Sequence, residues 1–307
     1  MNDVVSILIP IVLILGLGFW CREKKILKAP EIEGIKTVSV KFLWPMVLFY
    51  AFFTASYGIE TVLYAGVNFA ANLFAFCVGL ILRKTKCRHS FSYPYLLSGF
   101  ETGMIGYPLY TLLFGAENIS YLALLDVGHA LFIFPVFLNC LNMEQGKTNL
   151  KDSIREMLTS PIMIALIIGM VSGMTGIGKL IMSGGTGRVI TKIYNLISDA
   201  NVVMILLVMG YNLSFSLREL KESMKIILIR GGIMLICGFV SLVLLGKLVT
   251  VNIYLVSALI VTYIMPPVYM LSVYVKDKEE NKFMSTTTSV YTLLSILLFL
   301  LLTVAVK

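Results

Sequence analysis

Apolar runs of about twenty residues recur from one end of this chain to the other, each long enough to cross a hydrocarbon core of about 30 Å as a helix. In lipid every backbone N–H and C=O must find its partner inside the protein, so a chain of such runs folds as helices packed on helices. Composition agrees. Of the 307 residues, 58% are hydrophobic and 14% charged, with a mean hydropathy of +0.89, whereas soluble domains are roughly 25% charged. The reading is an all-α, multi-pass integral membrane protein. The formal charge of +8 does not argue for nucleic acid, because the basic residues lie in short loops beside the runs, where they set orientation. Cysteines number five, and Cys77, Cys140 and Cys237 fall within apolar runs, so no disulfide framework is implied.

Runs bounded by charge or by Gly/Pro predict ten spans, at 3–21, 35–56, 61–82, 93–114 and 119–141, then 161–182, 189–214, 223–247, 252–275 and 284–306. The first lacks a basic leader and a small-residue cleavage site, so it reads as a retained span. Basic residues concentrate after odd-numbered spans: Arg22, Lys24, Lys25 and Lys28; Arg83, Lys84, Lys86 and Arg88; Lys147, Lys151 and Arg155; Arg218, Lys221, Lys225 and Arg230; and Lys276, Lys278 and Lys282. The positive-inside rule places those loops in the cytoplasm and both termini outside the cell membrane. Five spans per half is an odd number, so the second half crosses in the opposite sense, which predicts inverted repeats. Each span has a counterpart roughly 160 residues later, and Pro108 in the fourth matches Pro266 and Pro267 in the ninth. The polar stretch 142–160 is the expected linker between repeats.

Proline removes a backbone donor and clashes with the preceding turn, and glycine loosens the chain. Gly103, Gly106 and Pro108 should therefore break span four near its middle, and Pro266 and Pro267 should break span nine. A break in lipid survives only where it is buried in protein or lines a watery cavity. Each break leaves a half-helix N-terminus with unpaired N–H groups, starting near Pro108 and Pro267, and two such ends facing one cavity favour an anion. The plainer alternative is a packing kink at each proline.

Glu101 lies about eight residues into its span, where an unpartnered charge costs a few kcal/mol. It should exchange a proton, hold a cation, or face a hydrated vestibule. Asp126 and His129, at i and i+3, share one helix face and form either a carboxylate–imidazole pair or two separately satisfied polar groups. Asn68 and Asn72, one turn apart, suit interhelical hydrogen bonds. No His-Glu-x-x-His, Gly-x-Ser-x-Gly or paired-aspartate pattern suggests an enzyme, and the two histidines make a zinc site unexpected. No cofactor or metal is expected. A repeated filter, which a channel would need, is not found.

The segments "TGMIGYPLYTLLFG" (102–115), "LLDVGHALFIF" (124–134), "NVVMILLVMGYNLSFS" (201–216), "MPPVYML" (265–271) and "STTTSVYTLLS" (285–295) resemble the auxin efflux carrier family, with its bacterial malate- and malonate-permease-like branch. The resemblance implies ten helices in two inverted repeats, with helices four and nine broken and crossing at prolines to form the substrate site. It implies a scaffold of helices 1, 2, 6 and 7 (residues 1–57 and 161–216) that pairs two copies into a homodimer, and a moving part of helices 3–5 and 8–10 (58–141 and 217–307). The family's first crossover usually reads Asn-x-Gly-x-x-Gly-x-Pro, where this chain has Glu101 for the asparagine. Its usual Asp-x-Gly-Gln has His129 for the glutamine, and Tyr269 stands where a small residue commonly follows the second crossover.

The expected function is secondary transport of a small organic anion, such as malate, malonate or an auxin-like carboxylate, with a proton or sodium as coupling ion. The expected substrate residues are Glu101, Gly103, Gly106, Tyr107, Pro108, Pro266, Pro267 and Tyr269, and the expected coupling residues Glu101, Asp126 and His129. The alternatives are a ligand sensor without flux and a carrier of a zwitterionic or cationic solute.

Overall fold

The computed structural model describes residues 2–55, 57–84, 89–144, 155, 159–213, 215–269, 271, 275 and 277–306. Lys86, Arg88, Lys147, Lys151 and Lys276, and most of the 142–160 linker, lie outside the described residues. All regular structure among the described residues is helical. The α-helices are α1 (Asn2–Glu23), α2 (Ala29–Val38), α3 (Trp44–Thr54), α4 (Ile59–Arg83), α5 (Tyr93–Leu97), α6 (Tyr107–Phe114) and α7 (Ile119–Phe132). They continue as α8 (Asn139–Glu144), α9 (Pro161–Met174), α10 (Ile177–Met182), α11 (Gly185–Asn212), α12 (Leu217–Leu248), α13 (Ile253–Ile264) and α14 (Lys278–Val306).

Among the described residues, six stretches are long and apolar enough to cross a membrane: Ala29–Thr54, Ile59–Arg83, Ile119–Glu144, Gly185–Asn212, Leu217–Leu248 and Lys278–Val306. Pro161–Met174 and Ile253–Ile264 are shorter apolar helices. Among the described residues three π-helical turns run into an α-helix, and each lies at or just before a proline: Ser39–Leu43 before Pro45, Thr102–Gly106 before Pro108, and Ile133–Leu138 around Pro135. A widened turn absorbs the missing donor and the ring without ending the helix.

Span four therefore does not break where the prolines and glycines predict. Backbone is helical from Thr102 through Phe114, with Gly106 itself in helical conformation at the start of α6, and Pro108 falls in the first turn of α6. The break lies earlier, at Ser98–Glu101, after α5 ends with Ser98 extended and Gly99 at φ +69°. Span nine breaks as expected: α13 stops at Ile264, and the chain runs extended from Met265 through the two prolines.

Two compact units divide the chain. The first comprises Met1–Ile59, Gly103–Leu124 and Arg155–Asn212. Within it α1 packs on α11 and α9 on α3. The α1–α11 crossing is backbone on backbone: a Cβ at Gly210 would lie 2.0 Å from the Leu15 carbonyl oxygen, and one at Gly18 would lie 2.1 Å from that of Leu207. Such small-residue contacts replace the hydrophobic drive that lipid removes. Arg22 Nη1 donates to the Tyr211 carbonyl at 3.0 Å, Ser39 donates to Asn201 at 2.6 Å, and the rings of Tyr50 and Tyr194 stack at 3.9 Å.

The second unit comprises Glu60–Thr102, Leu125–Ile154 and Leu213–Lys307. Here α12 packs on α5, α13 and α14. Short polar contacts stitch these helices: Ser241 with Tyr263 at 2.7 Å, Thr287 to Ser223 at 2.8 Å, and Ser295 to the Ile264 carbonyl at 2.6 Å. Buried His89 stacks on Phe283 and faces Glu219 at 3.0 Å and Glu280 at 2.9 Å, tying the first turns of α12 and α14 to the turn before α5.

Gly210→Ala should push α1 away from α11, because the obstructing atom belongs to the backbone and no rotamer relieves it. The expected loss is about 1–3 kcal/mol, read as a lowered midpoint of thermal unfolding in detergent. An unchanged midpoint would mean that the crossing yields without cost.

Candidate functional site

Two interruptions meet within the second unit, Ser98–Glu101 after α5 and Met265–Tyr269 after α13. Neither stretch is helical, so its main-chain groups need other partners. The N–H of Gly99 donates to Asn72 Oδ1 at 3.0 Å, that of Phe100 to His129 Nε2 at 3.0 Å, and that of Glu101 to the Pro266 carbonyl at 2.9 Å. Tyr269 N–H donates to Glu101 Oε2 at 2.7 Å. Thus Glu101 joins the two stretches twice, through its backbone N–H and through its carboxylate. Pro266 and Pro267 bring no N–H of their own.

The carbonyls are taken by one side chain. Arg230, fully buried in α12, donates through Nη1 to Leu96 O at 2.9 Å and Ser98 O at 3.3 Å, and through Nη2 to Gly99 O at 2.7 Å and Met265 O at 3.1 Å. Its guanidinium also lies over the rings of Phe100 and Tyr291, at 5.6 and 5.2 Å from their centroids, a cation–π arrangement strengthened by exclusion of water. Counting Arg230 among the loop residues after span seven is therefore corrected. The predicted eighth span, 223–247, already contained this position, and the arginine lies well inside the 32-residue helix that begins at Leu217. A planar fork of donors is the side chain suited to several carbonyls at once.

A chain of polar groups supports the break from behind. Asn72 Nδ2 donates to the Asn68 carbonyl and Asn68 Nδ2 to the Leu125 carbonyl, each at 2.8 Å. His129 Nδ1 meets Asp126 Oδ1 at 2.9 Å. Since Nε2 accepts from Phe100 N–H, Nδ1 is the ring nitrogen left to donate to the aspartate. Of the two readings open in the sequence, the carboxylate–imidazole pair is the one formed, and the imidazole binds main chain as well.

The expected substrate residues fall in both units. Glu101, Pro266 and Tyr269 come together, with Pro267 next in line, and the Tyr269 hydroxyl is bound to Thr292 at 2.9 Å. Gly103, Gly106, Tyr107 and Pro108 belong to the first unit. There Gly103 faces Trp44, whose ring a Cβ would meet at 1.8 Å, so close packing explains this glycine. The half-helix start placed near Pro108 is corrected to Thr102. At the second interruption the Tyr269 N–H, expected to face a substrate anion, is met by the protein's own Glu101 carboxylate. Sequence reasoning missed Arg230, although an arginine inside "IILIRGGIMLI" (226–236) was a signal for a buried cation.

Membrane-length helices with unwound backbone bonded to buried side chains and to each other define a multi-pass membrane protein with discontinuous helices. The chain belongs to the membrane transport protein family, that of the auxin efflux carriers, whose model matches residues 3–306. It is a membrane transporter by that membership. No curated protein matches the chain.

Asn72→Ala would leave the buried Gly99 N–H without its acceptor and remove the second, side-chain donor from the Asn68 carbonyl. The expected cost is about 1–3 kcal/mol, again read from thermal unfolding. A loss within a few tenths would show that the break is held without Asn72.

Proposed function

We propose that the protein is a secondary carrier of a small organic anion, a mono- or dicarboxylate such as malate, malonate or an auxin-like acid, and that Glu101 couples its movement to a proton. The observation that carries the reading is the Glu101 carboxylate on the Tyr269 N–H, 2.7 Å away. The unwound stretches of broken helices are where discontinuous-helix carriers hold a substrate carboxylate. In this chain an intrinsic carboxylate holds that place while it is ionised. Protonation makes it a poorer acceptor and releases the N–H to an incoming carboxylate, so proton and anion bind together. This gives a role to an acidic residue beside an anion site.

His129 adds a second proton-linked contact. A proton on Nε2 would remove the acceptor from Phe100 N–H, beside Glu101. The wider scheme is a ten-span, inverted-repeat carrier in which helices 3–5 and 8–10 move and helices 1, 2, 6 and 7 form the scaffold and pair two copies. The family membership and the two broken helices support it.

In proteoliposomes, wild-type uptake of malate, malonate or an indole carboxylate should rise several-fold with an inward proton gradient. Glu101→Gln keeps an oxygen for Tyr269 N–H, so the variant should fold and retain slower uptake that ignores the gradient. Uptake by the glutamine variant that is both active and gradient-driven would remove Glu101 from coupling. Saturable binding to the wild type without flux in any gradient would make the protein a sensor.

A further inference from the structure

We propose that Arg230 is a built-in cation that fills a carbonyl cage at the crossing and makes this cage independent of sodium. Carriers with discontinuous helices commonly coordinate a coupling Na⁺ with carbonyls of unwound backbone and of half-helix C-terminal ends. The carbonyls of Leu96, Ser98, Gly99 and Met265 are of that kind: Leu96 lies in the final turn of α5, Met265 follows the last residue of α13, and the other two lie in unwound chain. All four converge on one guanidinium at 2.7–3.3 Å, in a site where Arg230 has no exposed surface. A positive group is therefore present at the crossing throughout any transport cycle, tethered to α12 and unable to dissociate. The ion that accompanies the substrate must bind elsewhere, which leaves the titratable groups Glu101 and His129 as the coupling sites. The inference takes its functional meaning from the carrier reading, but the cage itself does not depend on it.

The test empties the cage and offers it free cations. Arg230→Ala, purified in detergent with choline as the only monovalent cation, should unfold about 10 °C below the wild type. Millimolar guanidinium or sodium should recover at least half of that loss. Urea at the guanidinium concentration should recover none, and the wild type should respond to neither cation. A variant equally unstable in choline, guanidinium and sodium would overturn the proposal, since the arginine would then serve by packing alone. So would a variant as stable as the wild type. Should the alanine variant fail to purify, wild-type stability and uptake compared in sodium and in choline decide the matter. Equal values support a filled cage, and dependence on sodium overturns it. Rescue of the variant by guanidinium, with no flux by the wild type under any ion, would overturn the carrier reading and leave the cage standing. Wild-type flux without rescue would do the reverse.

Discussion

Arg230 lies where two helices have given up their own hydrogen bonds, and the crossing depends on it. Three N–H groups (Gly99, Phe100 and Glu101) and four carbonyls (Leu96, Ser98, Gly99 and Met265) meet away from water. Left unmade at about 1–3 kcal/mol each, those seven bonds would cost about 7–20 kcal/mol, as much as the whole stability of a typical domain at about 5–15 kcal/mol. Propensity cannot offset a term of that size. Specific side chains on helices packed around the break supply most of the bonds: Arg230, Asn72 and His129 make six of the seven, and the last runs from Glu101 N–H to the Pro266 carbonyl. Burying the guanidinium is itself expensive, which is why it appears with four acceptors and two aromatic faces rather than with one.

The same constraint separates the prolines into two kinds. Pro45, Pro108 and Pro135 lie in or beside π turns, where helix continues around them. Pro266 and Pro267 do end a helix, because two consecutive residues without N–H remove two donors and the ring of each disfavours helix in the residue before it. At the first interruption a positive φ at Gly99 and the bonds from Asn72 and His129 do the same work without any proline. The two crossing stretches thus reach the same unwound state by different covalent means.

This explains what could be read from the sequence and what could not. Apolar run length exposed the membrane class, and the i, i+3 spacing put Asp126 and His129 on one helix face while leaving open whether they pair, because both are local properties of a helix. Pro266 and Pro267 located the second break for the same reason. The first break was misplaced toward Pro108, since one proline in a helix can be absorbed by a wider turn and only the surroundings decide. Arg230 was read as a loop charge because Arg218, Lys221 and Lys225 precede it at short intervals, and charge density alone does not mark a helix boundary. Its partners are 131–134 residues away in sequence on one side and 35 on the other. No window of sequence contains them together.

The contacts at the crossing differ in what a proton does to them, and that difference gives the fold a means of responding. Arginine stays charged at any physiological pH, so its four carbonyl bonds form a permanent frame. Glu101 and His129 each hold one main-chain N–H, Tyr269 and Phe100 respectively, through an atom that is also a proton acceptor. A proton placed on either atom would take away one N–H contact at the crossing and leave the carbonyl frame in place. Were the assignments reversed, with carboxylate and imidazole holding the frame, protonation would dissolve the crossing instead of adjusting it.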